Sequence, residues 1–167
     1  MITTAVDIRD LRPEDWPEVA RIYAEGIETG NATFETDVPD YQAWDRGRRD
    51  EGRLVARSLG RVVGWAALSP VSSRPAYAGV AEVSLYVAAS TWRQGVGKAI
   101  LRATIEASER AGVWTLQGAI FPENASSLAL VKDCGFREVG RRERIGCMNG
   151  VWRDTILVER RSRVVGA

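Results

Sequence analysis

Histidine is missing altogether from this 167-residue chain, and that absence removes the Ser-His-Asp triad, the Cys-His dyad and every His-ligated metal site at once. Cysteine is nearly missing too: Cys134 and Cys147 are the only two, and without CxxC spacing they argue against zinc and for a reducing compartment. Charge of one sign is not in excess. Lys plus Arg total 23 against 22 Asp plus Glu, so nothing general favours nucleic acid or an anionic membrane as a partner. The longest apolar stretches, such as Val62 to Leu68, are strand-sized and far below the ~20 residues of a membrane span. The opening Met1-Ile2-Thr3-Thr4-Ala5-Val6-Asp7 has neither the basic start nor the apolar core of a signal peptide. These absences set the expectation of a cytoplasmic protein that uses no metal.

What remains is ordinary globular material, 45% hydrophobic and 27% charged, enough for one domain with its own core. Val6, Ile8 and Leu11 alternate with charged residues as in a short strand. Glu14, Asp15 and Pro17 mark a helix start, and Trp16, Val19, Ala20, Tyr23 and Ile27 then recur at helical spacing up to Gly30. A loop from Asn31 to Pro39 precedes a polar helix over Tyr41 to Arg49. Leu54-Val55-Ala56 and Val62 to Leu68 flank Ser58-Leu59-Gly60-Arg61 as a hairpin. Val80 to Val87 is apolar at nearly every position, the pattern of a central strand covered on both faces. A helix to Gly112, a strand from Trp114 to Phe121, a helix from Asn124 to Cys134 and strands near Arg137 to Arg144 and Val151 to Glu159 complete the order. The prediction is a single mixed α/β domain over residues 1–160 with a frayed polar tail at 161–167. Trp16, Trp44, Trp65, Trp114 and Trp152 are expected in its core.

Arg93-Gln94-Gly95-Val96-Gly97-Lys98 lies between a strand and a helix. Glycines there turn backbone N–H groups toward one point beside a helix N-terminus, which can cradle a pyrophosphate, although such a turn also uses Gly simply for its φ angles. The spacing matches neither the P-loop nor the dinucleotide fingerprint. Glu82 is the other conspicuous residue. A carboxylate between Ala81 and Val83 in an apolar strand is costly unless solvated, paired or used.

Together, Tyr86-Val87, Arg93-Gln94-Gly95-Val96-Gly97, Asn124-Ala125-Ser126-Ser127-Leu128 and Cys134-Gly135-Phe136 resemble the acetyl-CoA signature of the GNAT N-acetyltransferase superfamily. Within it the chain is similar to the phosphinothricin and methionine sulfoximine acetyltransferases. The matching segments are Ile27-Glu28-Thr29 with Ala32-Thr33-Phe34, Arg74-Pro75-Ala76-Tyr77, Ala81 to Val87, and Gly150-Val151-Trp152-Arg153-Asp154. The resemblance spans nearly the whole chain and implies the acyl-CoA N-acyltransferase fold, a central mixed sheet flanked by helices.

Carried over, the resemblance assigns Leu85, Tyr86 and Val87 to the strand that pairs with the pantetheine arm. Arg93, Gln94, Gly95, Val96, Gly97 and Lys98 hold the pyrophosphate, and Asn124 and Ser127 contact the cofactor, Asn124 being equally suited to capping its helix. Glu82 becomes the general base that frees the attacking amine, since burial in a partly apolar cleft brings a carboxylic acid toward the working range. Arg74 becomes a two-point clamp for an acceptor carboxylate or phosphinate, with Tyr77, Phe34 and Thr33 completing the pocket. Two positions depart from the pattern: Trp92 stands where a Gln or Arg usually opens the pyrophosphate loop, and Val131 stands where a Tyr or His donor protonates the thiolate. A thiol of pKa about 8.5 leaves without much help, so a slower enzyme is expected. The implied activity is acetylation of the α-amine of a small amino acid, such as phosphinothricin or methionine sulfoximine or sulfone, and the resemblance implies a homodimer. The alternatives are a polyamine or protein N-terminus as acceptor, or an acetyl-CoA-binding module without catalysis. Arg141, Arg142 and Arg144 around Glu143 are expected to form a solvated strand face, and Cys147 to be incidental.

Overall fold

The computed structural model describes residues 4–167. Met1, Ile2 and Thr3, which open the stretch inspected for a signal peptide, lie outside the described residues. The elements follow the order predicted from sequence: β1 (Asp7–Asp10), α1 (Trp16–Glu28), α2 (Tyr41–Arg46), β2 (Leu54–Ser58), β3 (Arg61–Pro70), β4 (Val80–Val87), α3 (Val96–Arg110), β5 (Thr115–Ile120), α4 (Ala125–Asp133), β6 (Arg137–Met148) and β7 (Val151–Arg161). They build one seven-stranded sheet in the order β1-β2-β3-β4-β5-β7-β6. All neighbours pair antiparallel except β4 with β5.

The helices cover opposite faces of the sheet because side chains alternate along each strand. Trp65 and Tyr86, cross-strand partners on β3 and β4, stack at 4.9 Å and meet Tyr23 of α1. Trp44 of α2 packs edge-on against Trp65. On the other face α3 brings Val96 and Ile100 against Gly64, the only residue small enough there: a Cβ on Gly64 would lie 2.6 Å from Ile100 Cδ1. A second core gathers Leu101, Ile105, Leu116, Phe136 and Val158 under α3 and the far half of the sheet. The β2–β3 hairpin turns at Leu59 and Gly60, both at positive φ, the geometry that matches the twist of the flanking strands.

Five expectations need correction. Helix α2 stops at Arg46, well short of Arg49, because the chain leaves helical pairing at Gly47. Strands β6 and β7 are longer than expected: pairing breaks at two irregularities, after Glu138 and after Arg142, and then resumes from Gly146↔Arg153 to Met148↔Val151. Trp152 is 61% exposed rather than in the core, since it sits near the tip of that hairpin. The tail is not frayed. Ser162 donates its N–H to the Trp114 carbonyl (2.8 Å) and its hydroxyl to Glu109 (2.9 Å), while the Arg161 guanidinium donates to the carbonyls of Ser162, Val165 and Gly166. Finally, β4 is central but not covered on both faces; of its eight residues only Ala81 is buried. Among the described residues no helix is long and apolar enough to cross a membrane.

Candidate active site

The exposure of β4 has a definite cause in strand pairing. Against β3 the strand is paired along its whole length, from Pro70↔Ala81 to Gly64↔Val87. Against β5 it is paired at three positions only, Val80↔Thr115, Ala81↔Leu116 and Glu82↔Gln117. Beyond that rung β5 stays with β7, through Gly118↔Val158 to Ile120↔Ile156, and the two central strands part. The facing edges of 83–87 and 118–120 are left without strand partners among the described residues. Unpaired backbone groups inside a fold are costly unless something satisfies them, and an extended ligand can do so as an added strand. A cavity of about 260 Å³ occupies the fork. It is walled by Glu82, Ser84 and Tyr86 from one face of β4, and by Leu85, Leu101, Leu130 and Val131 from the other.

Glu82 sits at the vertex, on the last shared rung. Its neighbour across β5 is Gln117, whose Nε2 donates to Glu82 Oε2 at 3.3 Å. Its neighbour across β3 is Ser69. Among the described residues no arginine or lysine forms an ion pair with it, so the carboxylate keeps free acceptor capacity facing the cavity. Tyr86 lies two steps further along the same face, stacked between Tyr23 (4.8 Å) and Trp65 (4.9 Å). Burial, then the neighbouring Tyr23 phenol, pushes the Tyr86 hydroxyl well above the ordinary phenol range, which makes it a neutral hydrogen-bonding group at any physiological pH.

The glycine-rich turn folds as its sequence suggests. Arg93 and Gly95 both take positive φ, 61° and 83°, and Gly95 caps α3 without any side-chain bond. The first intrahelical bond runs from Ala99 N–H to the Gly95 carbonyl (3.1 Å), so the N–H groups of Val96, Gly97 and Lys98 have no acceptor within the helix. The helix end lies against the cavity wall: a Cβ on Gly97 would stand 3.2 Å from Leu130 and 3.5 Å from Val87. The turn itself is anchored through Gln94, whose carbonyl accepts from Thr4 N–H (2.9 Å) and whose Nε2 donates to the Ser90 carbonyl (3.2 Å). Trp92 is half exposed and donates its indole N–H to the Val87 carbonyl (2.8 Å). Asn124 opens α4 as its cap, Oδ1 accepting from Ser127 N–H (3.2 Å), and Nδ2 donates to the Asn31 carbonyl (3.1 Å). Asn124 and Ser127 both line the cavity.

Thr33 and Phe34 close the cavity from the loop after α1. Phe34 meets Phe121 edge-on at 4.8 Å, and Gly146 of β6 lies so close that a Cβ there would be 2.6 Å from the Phe34 ring. Arg74 and Tyr77 are elsewhere. They sit in the β3–β4 connection, outside the cavity wall, with the Arg74 guanidinium over the Tyr77 ring at 5.8 Å and Tyr77 48% exposed. That connection leaves and re-enters the sheet one rung beyond the Ser69–Glu82 pair.

Three residues without an assigned role belong to this site. Gln117 and Thr155 line the cavity. Arg153 of β7 holds the loop that carries Thr33 and Phe34: it donates to the Gly30 carbonyl, to Asn31 Oδ1 (2.8 Å) and to Glu123 (3.3 Å), over the Phe121 ring at 3.9 Å. The Trp-Arg-Asp run around Arg153 carries that signal in the sequence, but its partners Gly30 and Asn31 lie more than a hundred residues away. Val131 brings only methyl groups to the wall.

Residues 6–136 match the family model described as Acetyltransferase (GNAT) family. A curated relative, phosphinothricin N-acetyltransferase of Alcaligenes faecalis, is 35% identical over 93% of this chain and 82% of its own length. A ribosomal-protein-alanine N-acetyltransferase structure from Brucella melitensis superposes with a TM-score of 0.86 at 30% identity, covering 93% of this chain and 99% of that one. A GNAT phosphinothricin acetyltransferase structure from Sinorhizobium meliloti, in complex with acetyl-CoA, superposes with a TM-score of 0.83 at 27% identity, covering 93% and 88%.

Proposed function

The chain belongs to the acetyltransferase (GNAT) family, and from that premise we propose that it moves the acetyl group of acetyl-CoA to the α-amine of a small amino acid or analogue, such as phosphinothricin or methionine sulfoximine or sulfone. It is an N-acetyltransferase related to the phosphinothricin acetyltransferases. The single observation that carries the finer assignment is Glu82 at the vertex of the β4–β5 fork, lining the cavity and, among the described residues, without a cationic partner.

The fork fits acetyl-CoA by its own chemistry. The edge of β4 around Leu85, Tyr86 and Val87, unpaired with β5, offers backbone donors and acceptors to the amides of a pantetheine arm, the Val87 carbonyl excepted because Trp92 already donates to it. The bare N-terminus of α3, from Arg93 to Lys98, offers N–H groups and a positive dipole end to the pyrophosphate. Asn124 and Ser127 flank the path from α4. When bound, acetyl-CoA supplies an acyl thioester open to attack by an amine.

Only the free amine is nucleophilic, so the acceptor's ammonium must lose a proton. Glu82 accepts it, directly or through one water, with Gln117 holding the carboxylate in place. The unpaired N–H groups of β4 supply donors for negative charge that develops on the acyl oxygen. Val131 provides no acid, and a thiolate of low basicity leaves without one. Thr33 and Phe34 shape the acceptor side, and Arg74 and Tyr77 guard its outer rim, where a flexible guanidinium meets the acceptor's acidic group on entry.

The test is thiol release from acetyl-CoA across phosphinothricin, methionine sulfoximine, methionine sulfone, spermidine and an alanine-terminated peptide. Amino-acid-dependent release is expected, and Glu82→Gln is expected to lower its kcat by about a hundredfold or more. Release with the peptide alone would favour the second reading, a protein N-terminus as acceptor, which the likeness to the Brucella melitensis structure motivates. Release with nothing despite acetyl-CoA binding would leave a binding module. A homodimer in the cytoplasm completes the proposal. Val139, Ile145, Val151 and Trp152 on the β6–β7 hairpin are exposed, apolar surface that a second copy would cover, and light scattering is expected to return twice the monomer mass.

A further inference from the structure

We infer that Gly146 is a positioning residue for the acceptor: carried into place by a bulge in β6, it fixes where Phe34 stands and so how the acceptor side is closed. The inference rests on the acetyl transfer proposed above and names a residue that shapes its acceptor pocket from outside.

Glycine is required at 146 by space rather than by backbone. The φ of Gly146 lies outside the left-handed region that Gly30, Gly60 and Gly95 occupy, so no special conformation calls for it. An added Cβ, however, would lie 2.6 Å from Phe34 Cζ, 2.7 Å from Cε1 and 3.1 Å from Cε2. The far edge of the ring therefore points at bare backbone of β6. The same ring meets Phe121 edge-on at 4.8 Å, and both phenylalanines line the cavity. A ring held between β6 and Phe121 cannot yield to a new methyl without moving the wall that it forms.

The bulge brings a glycine to this place. Arg142 pairs with Thr155 and Gly146 with Arg153, so Glu143, Arg144 and Ile145 stand opposite Asp154 alone. In an unbroken ladder Arg144 would be the partner of Arg153, and an arginine side chain would claim the space that the Phe34 ring fills. Asp154 holds the detour: Oδ1 accepts from the Arg144 N–H (2.8 Å) and Oδ2 from Arg141 Nε (2.7 Å). Arg144 itself sits at φ 48°, a region that a residue with a Cβ seldom takes. Cross-strand partners share a face of the sheet. On this face Gly146 supports Phe34, while Arg153 donates to Gly30 and Asn31 of the same loop. Thr155, two residues along β7 from Arg153, lines the cavity. The end of the hairpin is thus a bracket for the acceptor loop, and none of these contacts involves β4 or the start of α3, where the donor is held.

The experiment measures KM for acetyl-CoA and for phosphinothricin or methionine sulfone in wild type, Gly146→Ala, Gly146→Val, Phe34→Leu and the double variant Gly146→Ala/Phe34→Leu. Gly146→Ala is expected to raise acceptor KM roughly three- to tenfold, and Gly146→Val further, with acetyl-CoA KM unchanged. Phe34→Leu removes the ring atoms that the new Cβ meets, so the double variant is expected to show the acceptor KM of Phe34→Leu alone. Strictly additive effects would overturn the inference, as would an acceptor KM unmoved by either glycine substitution or an equal rise in acetyl-CoA KM. Asp154→Ala, which frees the bulge, is expected to raise acceptor KM as Gly146→Ala does, and Asp154→Asn, which keeps an oxygen for the Arg144 N–H, to raise it less. A wild-type acceptor KM in Asp154→Ala would overturn the part given to the bulge. If Gly146→Val does not fold, Gly146→Ala and its double variant carry the same comparison. If wild type turns over only an alanine-terminated peptide, the amino-acid reading fails, and the same variants decide the inference with the peptide as acceptor. If wild type turns over no acceptor at all, the inference falls with that reading.

Discussion

The two sides of the fork are built from different material. The side assigned to acetyl-CoA is mostly backbone: the unpaired edge of β4, the bare end of α3 and glycines that let the wall close up. The acceptor side is mostly side chains brought in from distant segments: Thr33 and Phe34 from a loop held by Arg153 of β7, Gln117 from β5 and Thr155 from β7. Backbone presents the same groups whatever the residue, so a fold that forks in this way keeps its donor substrate while its acceptor varies with a handful of substitutions. That difference explains why family membership fixes the acetyl donor for this chain and leaves the amine to be tested.

The comparison can be broken by substitutions that should touch one side only. The larger effect is expected from Gly97→Val. The new Cβ would stand 3.2 Å from Leu130 and 3.5 Å from Val87, and the branch methyls would push α3 away from the wall it shares with β4. KM for acetyl-CoA is expected to rise about tenfold, equivalent to ~1.4 kcal/mol, with little change in acceptor KM when each substrate is varied in turn. Equal changes in both would mean that the two sides are not separable. A smaller effect is expected from Arg153→Gln, which removes donors to the Gly30 carbonyl, Asn31 and Glu123. Acceptor KM should rise roughly three- to tenfold while acetyl-CoA KM stays put, and Arg153→Lys should restore part of it. An altered acetyl-CoA KM would show that the loop after α1 also sets the donor side, by way of the Asn124–Asn31 hydrogen bond.

Local signals were the ones that sequence carried well. The bounds of β4, the glycine turn before α3 and the Asn124 cap each depend on residues within a few positions, and each is found where expected. The length of the β6–β7 hairpin, the docking of the tail through Ser162 and the exposure of Trp152 depend on which distant strand lies alongside, and periodicity does not report that. The same limit applied to the site. Glu82 stands out as a charge in an apolar strand, whereas Arg153 looks like an ordinary surface arginine until Asn31 is folded against it. The fork itself has no sequence signature in β4 alone, because it is the place where β5 ceases to follow.

The central claim is that Glu82 serves the chemistry at the vertex while backbone on either side of it holds the donor. Titrating acetyl-CoA into wild type and Glu82→Gln, alongside thiol release with phosphinothricin on the same preparations, tests it directly. The account expects equal acetyl-CoA affinity with turnover lowered about a hundredfold or more. Turnover that survives the substitution, or acetyl-CoA binding lost together with it, would contradict the account.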